Sequence, residues 1–226
     1  MLFEPLLTFL APHGCLGCFS EGYLLCVDCS RQLEVPDKRC YKCHKPGQSQ
    51  ATCAMCRLDS PLASVQAATR YMGVGKELVH RLKFGRARSA ATEMADIIAD
   101  RLGLDADMAA YGDIVIAHVP TATSRVRGRG YDQSRLIARA LAVRSGIPCY
   151  RLLLRAGQRK QVGSGKRERR TQMRTAYHAV MGRRIRGAHI LLVDDVSTTG
   201  ATLEAAAEEL LRAGAARIDG IVFAKA

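Results

Sequence analysis

The sequence predicts an α/β protein in which a mainly parallel sheet is flanked by helices, with a small cysteine-rich domain preceding it. Strand-like and helix-like segments alternate after residue 61, an apolar run at 190–193 ends abruptly in acids, and eight cysteines form Cys-x-x-Cys pairs before residue 57. A chain of 226 residues can hold an α/β core of about 150 residues and an accessory domain. We therefore predict domains at 1–60 and 61–226.

The first 15 residues are apolar, but they contain Glu4 and lack the basic flank and the cleavage site of a signal peptide. A short packing helix is the preferred interpretation. No apolar stretch reaches the roughly 18 residues that a membrane span requires. We therefore expect a cytoplasmic protein without a membrane span.

Four Cys-x-x-Cys pairs have the spacing that directs two thiolates at one ion, and two such pairs complete a tetrahedral site. Disulfides and redox-active pairs are the alternatives, but neither an export signal nor a thioredoxin-like context accompanies the pairs. The short gaps between pairs favour sequential over interleaved sites. The predicted ligands of two structural Zn²⁺ ions are Cys15, Cys18, Cys26 and Cys29 for the first and Cys40, Cys43, Cys53 and Cys56 for the second.

The elements of the second domain follow from apolar periodicity and turn signals. Because strands alternate with helices, we expect a mainly parallel sheet with right-handed crossovers. The predicted order is a strand at 63–71, helices at 74–84 and 88–102, a strand at 113–119, a helix at 132–144, strands at 147–154 and through 190–193, a helix at 199–213 and a strand at 218–224.

The apolar run 190–193 predicts a central parallel strand, and open α/β sheets bind ligands at the carboxyl ends of such strands. Asp194 and Asp195 follow at that end and can accept hydrogen bonds from vicinal ribose hydroxyls. The next threonines and the free N–H groups of a helix N-terminus suit a phosphate, and Gly200 permits close approach of the backbone. An ordinary strand-to-helix turn is the alternative. We predict a sugar-phosphate site.

A second anion-binding loop is predicted after the strand at 113–119. It offers hydroxyls, backbone amides and three arginines at alternate positions, which suit bidentate contacts to a pyrophosphate. We expect Asp132 to cap the following helix, and a basic surface loop is the alternative interpretation. The candidate ligand contacts of this loop are Pro120, Thr121, Arg125, Arg127 and Arg129.

The formal net charge of +13 is concentrated between residues 125 and 186, where 18 Lys and Arg accompany two acids. Such a field attracts polyanions, either a pyrophosphate or a nucleic-acid backbone. We interpret the stretch 159–170 as a basic lid, since its glycines do not match the spacing of a nucleotide P-loop. The candidate nucleic-acid contacts are Arg129, Tyr131, Arg159, Lys160, Lys166, Arg167 and Arg170, and the candidate platforms for base stacking are Tyr41 and Tyr131.

The segment 194–202 resembles the phosphoribosyl pyrophosphate (PRPP) motif of type I phosphoribosyltransferases, in which the acids hold ribose O2 and O3 and the loop holds the 5′-phosphate. The resemblance implies that PRPP, with Mg²⁺, binds to Pro120, Thr121, Asp194, Asp195, Val196, Ser197, Thr198, Thr199, Gly200, Ala201 and Thr202. It implies catalytic roles for Asp194 and Asp195 and for four cations that stabilise the leaving pyrophosphate, namely Arg125, Arg127, Arg129 and Lys160.

Together with the cysteine-rich head, the segments 82–84, 129–133 and 161–163 make nearly the whole chain similar to the ComF family. This resemblance implies a zinc ribbon joined to a type I phosphoribosyltransferase-like domain. In naturally competent bacteria, ComF proteins are associated with imported single-stranded DNA. The resemblance therefore implies single-stranded DNA and other DNA-uptake proteins as partners.

Three functions follow as hypotheses. The first is a PRPP-binding protein that handles single-stranded DNA. The second is a nucleotide-salvage phosphoribosyltransferase that joins a base to ribose 5-phosphate, although the sequence shows no hood that would read a base. The third is a PRPP-responsive regulator that binds duplex DNA. The sequence contains no identifiable recognition helix, which argues against this hypothesis.

Overall fold

The structure, a computed structural model, describes residues 14–85, 87–105, 113–155 and 176–226. Its elements confirm the predicted parallel α/β fold with a cysteine-rich N-terminal region. In chain order they are α1 (Val27–Arg31), α2 (Ala54–Arg57), β1 (Ser64–Arg70), α3 (Gly73–Phe84), α4 (Ser89–Leu102), β2 (Ile114–His118), α5 (Thr123–Arg129), α6 (Gln133–Ser145), β3 (Leu153–Arg155), β4 (Tyr177–Ala179), α7 (Gly182–Ile185), β5 (His189–Ser197), α8 (Ala201–Arg212) and β6 (Arg217–Lys225).

The main sheet has the strand order β1-β6-β5-β2, and every neighbouring pair is parallel. The two inner strands, β5 and β6, are covered on both faces, which explains their nearly continuous apolar sequences. Because β5 lies between β6 and β2, its carboxyl end is flanked by the loop that follows β2. The two predicted anion-binding segments therefore meet at one edge of the sheet.

Helices α3, α4 and α6 pack on one face of the sheet, around Leu78, Met94 and Ile137. The opposite face is covered by α8 and by β3 and β4. Asp132 caps α6 by accepting a hydrogen bond from the N–H of Arg135 at 3.3 Å, which confirms the predicted cap. Apolar burial on both faces thus fixes the sheet that carries the site.

The predicted strand at 147–154 joins the parallel sheet only briefly, beside β2. Cys149 makes one isolated parallel bridge to Ile116, and the chain then forms β3, which pairs antiparallel with β4 in a separate two-stranded sheet. Pro148 lacks an N–H and cannot continue a ladder of hydrogen bonds. Its carbonyl accepts from Ile116 instead, at 2.8 Å.

The segment interpreted as an arginine-bearing loop contains the short helix α5. Its sequence has no apolar stripe from which a helix would be predicted. The helix ends at Gly130, whose φ of 82° lies in the left-handed region that glycine tolerates.

The cysteine-rich region forms two modules, which we call the first cysteine module (residues 14–33) and the second cysteine module (residues 40–57). The first joins the core on the α3 and α4 face through Cys15, Leu25 and Leu33. The second is seated on β1, where the Gln50 side chain donates to Ala67 O at 3.2 Å and accepts from Ala67 N at 2.8 Å. The two modules therefore contact different parts of the sheet and its covering helices.

Across the described ranges, no helix combines the length and the apolar character needed to cross a membrane.

A buried ion cluster lies at the amino ends of β5, β6 and β1, at the end of the sheet opposite to the predicted anion-binding segments. The Asp219 carboxylate is contacted by His189 Nε2 at 2.6 Å, Arg217 Nε at 2.7 Å and Ser64 Oγ at 2.6 Å. Burial alone would raise the pKa of Asp219, but these hydrogen bonds hold that pKa well below its usual range. The cluster therefore stabilises the fold when Asp219 is ionised.

We expect Asp219→Asn to lower the free energy of unfolding by about 2 kcal/mol at pH 7, measured by urea unfolding followed by circular dichroism. A depressed pKa gives stability above the unfolded-state value near 4 that is lost as the pH falls further, so the difference should shrink between about pH 4 and pH 2. The control is Asp100→Asn, which removes an exposed pair with Arg144 and should cost less than about 1 kcal/mol. Equal losses in both variants would contradict this prediction.

Candidate functional site

A cavity of about 660 Å³ lies at the carboxyl ends of β5 and β2. Its walls come from the end of β5, the turn into α8, the loop through α5 and the last turn of α3. The structure brings the following predicted residues together along this cavity: Asp194, Asp195, Val196, Thr198, Thr202, Pro120, Thr121, Arg125 and Arg129.

The acid pair at the end of β5 is held by three contacts. Ser134 Oγ donates to Asp194 Oδ1 at 2.6 Å, and the N–H of Asp195 donates to the same oxygen at 2.9 Å. Lys83 Nζ lies 2.9 Å from Asp195 Oδ2. Burial and the neighbouring Asp195 raise the pKa of Asp194 to about 7, although Ser134 and Lys83 act in the opposite direction. Asp194 therefore titrates near neutral pH.

The same contacts define which oxygens remain for a ligand. Among the described residues, no protein group donates to Asp194 Oδ2 or Asp195 Oδ1. Both side chains line the cavity. With respect to the described part of the chain, one oxygen of each neighbouring carboxylate can therefore accept from a pair of hydroxyls or bind a hard cation.

The turn from β5 into α8 presents a helix N-terminus to the cavity. Gly200 precedes α8 with a φ of 82°, and Lys225 Nζ donates to Thr198 O at 2.8 Å. Thr198 and Thr202 line the cavity, so their hydroxyls and the first N–H groups of α8 suit an anion. Four predicted neighbours are not part of the lining, namely Ser197, Thr199, Gly200 and Ala201.

The three arginines of α5 do not share one direction. Arg125 and Arg129 are four residues apart, so they lie on one side of the helix and line the cavity. Arg127 is exposed and lies outside the lining, because two residues correspond to about 200° of helical rotation. Side chains at every second position face the same ligand only when the backbone is extended. Because the segment is helical, the expectation that all three arginines contact one pyrophosphate does not hold.

The loop is tied to α6 by the carboxylate that caps this helix. Thr121 donates to Asp132 through its N–H and its hydroxyl, at 3.0 Å in each case. These bonds fix the loop that begins at Pro120 against the start of α6. Asp132 thus positions the predicted anion-binding loop as well as capping the helix.

Two cations of the cavity are absent from the sequence-based site. Lys83 belongs to a segment noted only for its resemblance to a family signature, and Arg155 on β3 carries no signal at all. Arg155 donates to Pro120 O at 3.5 Å, and its guanidinium lies 5.5 Å from the ring centre of Tyr177. The described lining carries two acids and four cations, Lys83, Arg125, Arg129 and Arg155, so it favours an anionic ligand.

The two tyrosines predicted as stacking platforms are packed in the protein. Tyr131 is 8% exposed, donates to Leu82 O at 2.5 Å and has the Arg88 guanidinium 5.4 Å from its ring centre. Tyr41 is 4% exposed. The exposed ring beside the cavity is instead Phe84, which lies 5.2 Å from the Arg129 guanidinium.

Five predicted basic contacts lie outside the described residues: Arg159, Lys160, Lys166, Arg167 and Arg170. Their predicted roles stay predictions.

The eight paired cysteines form two groups in the predicted sequential order. We call them the first cysteine group, with Cys15, Cys18, Cys26 and Cys29, and the second cysteine group, with Cys40, Cys43, Cys53 and Cys56. Within each group the sulfur atoms lie within 4.8 Å of one another.

The thiols of the first cysteine group differ in acidity. Burial opposes ionisation of Cys15, yet N–H donors from Cys26 and Gly17 help to lower its pKa to about 6. The neighbouring Cys26 side chain and burial raise the pKa of Cys29 to about 12. Four thiols this close ionise together only around a cation, and both groups fit Zn²⁺.

Comparisons with known proteins agree with this architecture. The phosphoribosyl transferase domain family matches residues 89–226. The DNA utilization protein YhgH of Salmonella typhi is 28% identical over 86% of this chain and 87% of its own length. The competence protein ComFC of Bacillus subtilis is 28% identical over 85% of this chain and 80% of its own.

Among solved structures, the allosteric regulatory enzyme of purine biosynthesis overlaps with a TM-score of 0.42 at 20% identity, over 60% of this chain and 25% of that chain. The fold assignment rests on the strand order and the family match, which covers more than half of the sequence. The chain therefore belongs to the phosphoribosyl transferase domain family, and its similarity to ComFC and YhgH along most of its length supports its placement in the ComF family.

Proposed function

We propose that this protein binds PRPP together with Mg²⁺ and handles single-stranded DNA, as a protein of the ComF type. The observation that carries the proposal is the cavity in which an acid pair, a threonine-bearing helix start and four cationic side chains converge. The names of the relatives, a competence protein and a DNA utilization protein, support the DNA-handling part.

Each part of PRPP has a chemically matched partner in the cavity. The ribose hydroxyls would donate to the available oxygens of Asp194 and Asp195. The 5′-phosphate would accept from Thr198, Thr202 and the N-terminus of α8. The pyrophosphate would face the cations of the opposite wall, Arg125, Arg129 and Arg155.

The acid pair also suits the metal that accompanies such a ligand. Carboxylate oxygens are the ligands that Mg²⁺ prefers, and Asp194 and Asp195 would hold it directly or through water. When bound, Mg²⁺ supplies positive charge to the pyrophosphate oxygens. Lys83 pairs with Asp195 and also lines the cavity, so its positive charge would face the anion as well. Positioning and charge are thus the chain's own contribution.

Single-stranded DNA would follow the basic surface beside this cavity. Arg127 points away from the lining and is exposed, which suits a backbone phosphate. The exposed ring of Phe84, with Arg129 beside it, offers a stacking surface for a base. The DNA path proposed here therefore replaces Tyr131 with Phe84.

The PRPP site is tested by isothermal calorimetry with PRPP and Mg²⁺. We expect the double variant Asp194→Ala and Asp195→Ala to weaken binding by at least about a hundredfold, since it removes two charged acceptors. Its zinc content should stay at the wild-type value. The control is Asp100→Ala, which removes an exposed acid far along the chain. Undiminished affinity in the double variant would refute the ribose role.

The same titration has an expected pH dependence. Because burial and Asp195 raise the pKa of Asp194 to about 7, the group must lose a proton on binding below that pH. Affinity should therefore fall about tenfold from pH 8 to pH 6. The phosphates of PRPP also titrate, so the slope of log affinity against pH is compared with that of Asp194→Asn. This variant keeps the shape of the side chain but cannot titrate. Identical slopes would contradict the assignment.

The DNA surface is tested by measuring the affinity of a labelled oligothymidine strand at several salt concentrations. We expect Phe84→Ala to weaken binding about tenfold and Arg127→Gln to reduce the slope of log affinity against log salt by about 0.7. Both variants should keep wild-type PRPP affinity. Val143→Ala, a truncation of an exposed apolar residue on α6, should change neither quantity. A salt-independent affinity in the wild type would overturn the DNA proposal.

The alternative, a nucleotide-salvage phosphoribosyltransferase, is favoured by one observation. A second cavity of about 360 Å³ adjoins the first through Tyr71 and lies between the second cysteine module and the sheet edge. Its volume suits a planar base.

The two functions differ in turnover of PRPP. We expect purified protein with Mg²⁺ and PRPP to release no more pyrophosphate when adenine, guanine, hypoxanthine or uracil is added. Release that depends on one base would show that the salvage function is the correct one. The double variant of the acid pair is the blank for spontaneous hydrolysis.

A further inference from the structure

Tyr41 directly follows Cys40, the first member of the second cysteine group. The residues after it, 42 to 49, are exposed, whereas Tyr41 is 4% exposed. The side chain thus leaves the cysteine module and enters the core of the sheet domain. Tyr41 is thus the residue through which the loop 40–43 contacts the core of the sheet.

The Tyr41 ring packs against the turn that precedes α8. A methyl group added at Gly200 would lie 2.9 Å from Cδ2 and 3.1 Å from Cε2 of this ring, so only glycine permits the approach. The positive φ of Gly200 makes the same demand. The backbone of the turn proposed to hold the 5′-phosphate therefore rests on an aromatic ring from the cysteine module.

The Tyr41 hydroxyl continues the contact into the helix. It donates to Glu204 Oε1 at 2.7 Å, in the first turn of α8, and lies 2.5 Å from Ser60 Oγ. Lys42 Nζ, from the next residue, lies 3.0 Å from Asp59 Oδ1 and 4.0 Å from Glu204 Oε1. Ring and hydroxyl thus hold both the turn and the start of α8.

The position of Tyr41 depends on the knuckle that begins at Cys40. The N–H of His44 donates to Cys40 O at 3.0 Å, and the N–H of Cys40 donates to Lys45 O at 3.0 Å. One ion bound by Cys40 and Cys43 would lock this loop, since both sulfurs must point at it. Loss of the ion would free the loop and, with it, the ring.

We propose that Tyr41 is a positioning residue that couples the metal occupancy of the second cysteine group to the conformation of the turn 198–202, which is proposed above to hold the 5′-phosphate. Zinc at this group holds the turn 198–202 ready for a phosphate, and a bound phosphate ligand strengthens zinc retention by the same factor. The proposal rests on the PRPP site proposed above. The first cysteine group packs on the α3 and α4 face, and within the described ranges its cysteines make no hydrogen bond to this turn.

The direct test is hydrogen exchange of the amides of residues 198–204, read by mass spectrometry without any ligand. Cys43→Ser disables the second group and Cys18→Ser the first; the two positions are equivalent and both side chains are exposed. We expect exchange at the turn to rise about tenfold in Cys43→Ser and to stay at the wild-type rate in Cys18→Ser. Equal rates in wild type and Cys43→Ser would overturn the coupling.

The second measurement is zinc competition with 4-(2-pyridylazo)resorcinol, with and without PRPP and Mg²⁺. In the wild type, we expect PRPP to raise about tenfold the chelator concentration that removes half of the zinc bound by the second cysteine group. Tyr41→Ala should abolish this rise, and Tyr41→Phe, which keeps the ring but loses both hydroxyl contacts, should retain part of it. The control is Tyr23→Ala, an exposed tyrosine of the first module.

The two measurements separate the coupling from the PRPP assignment. A turn that loosens in Cys43→Ser, together with no PRPP effect on zinc and no PRPP binding in calorimetry, would refute the proposed function and keep the coupling. PRPP binding without any effect on zinc retention, or with the full effect in Tyr41→Ala, would refute the coupling and keep the proposed function.

Discussion

The site depends on keeping two neighbouring carboxylates together at the end of a buried strand. Like charges at this separation repel, and partial burial penalises both. Lys83 offsets the charge of Asp195, while Ser134 and a backbone N–H hold Asp194. The Lys83 and Ser134 side chains come from the ends of α3 and α6, so the acid pair depends on the packing of both helices on one face of the sheet. In the proposed function, the hydroxyls of PRPP and a bound Mg²⁺ would relieve the same repulsion.

The parallel sheet explains why the two carboxylates lie at the proposed ligand-binding site. Parallel strands deliver all their carboxyl ends to one edge, and β5, an inner strand, delivers Asp194 and Asp195 between the two turns that we propose to bind anions. The opposite edge carries the fully paired cluster around Asp219. One edge is thus stabilised by satisfied charges, and the other keeps charges available for binding.

The two cysteine modules also have different roles, because each contacts a different part of the sheet. The first adds side chains to the core on one face. The second lies on β1 and sends Tyr41 beneath the turn at Gly200. Because the small module buries little apolar surface of its own, an ion at its cysteines is the natural source of its rigidity. That rigidity is then transmitted to a turn of the sheet domain by a single packed ring.

Local patterns along the chain were sufficient to predict the parallel α/β class, the two sequential cysteine groups and the acid run followed by a threonine turn, because each has a fixed spacing. They were not sufficient for α5, for the strand predicted after residue 147, or for the arrival of Lys83, Arg155 and Tyr41 at the site. These features arise from packing between distant segments. Long side chains from separate elements meet at one sheet edge only after the helices pack. The spacing of residues along the chain does not predict such contacts between distant segments.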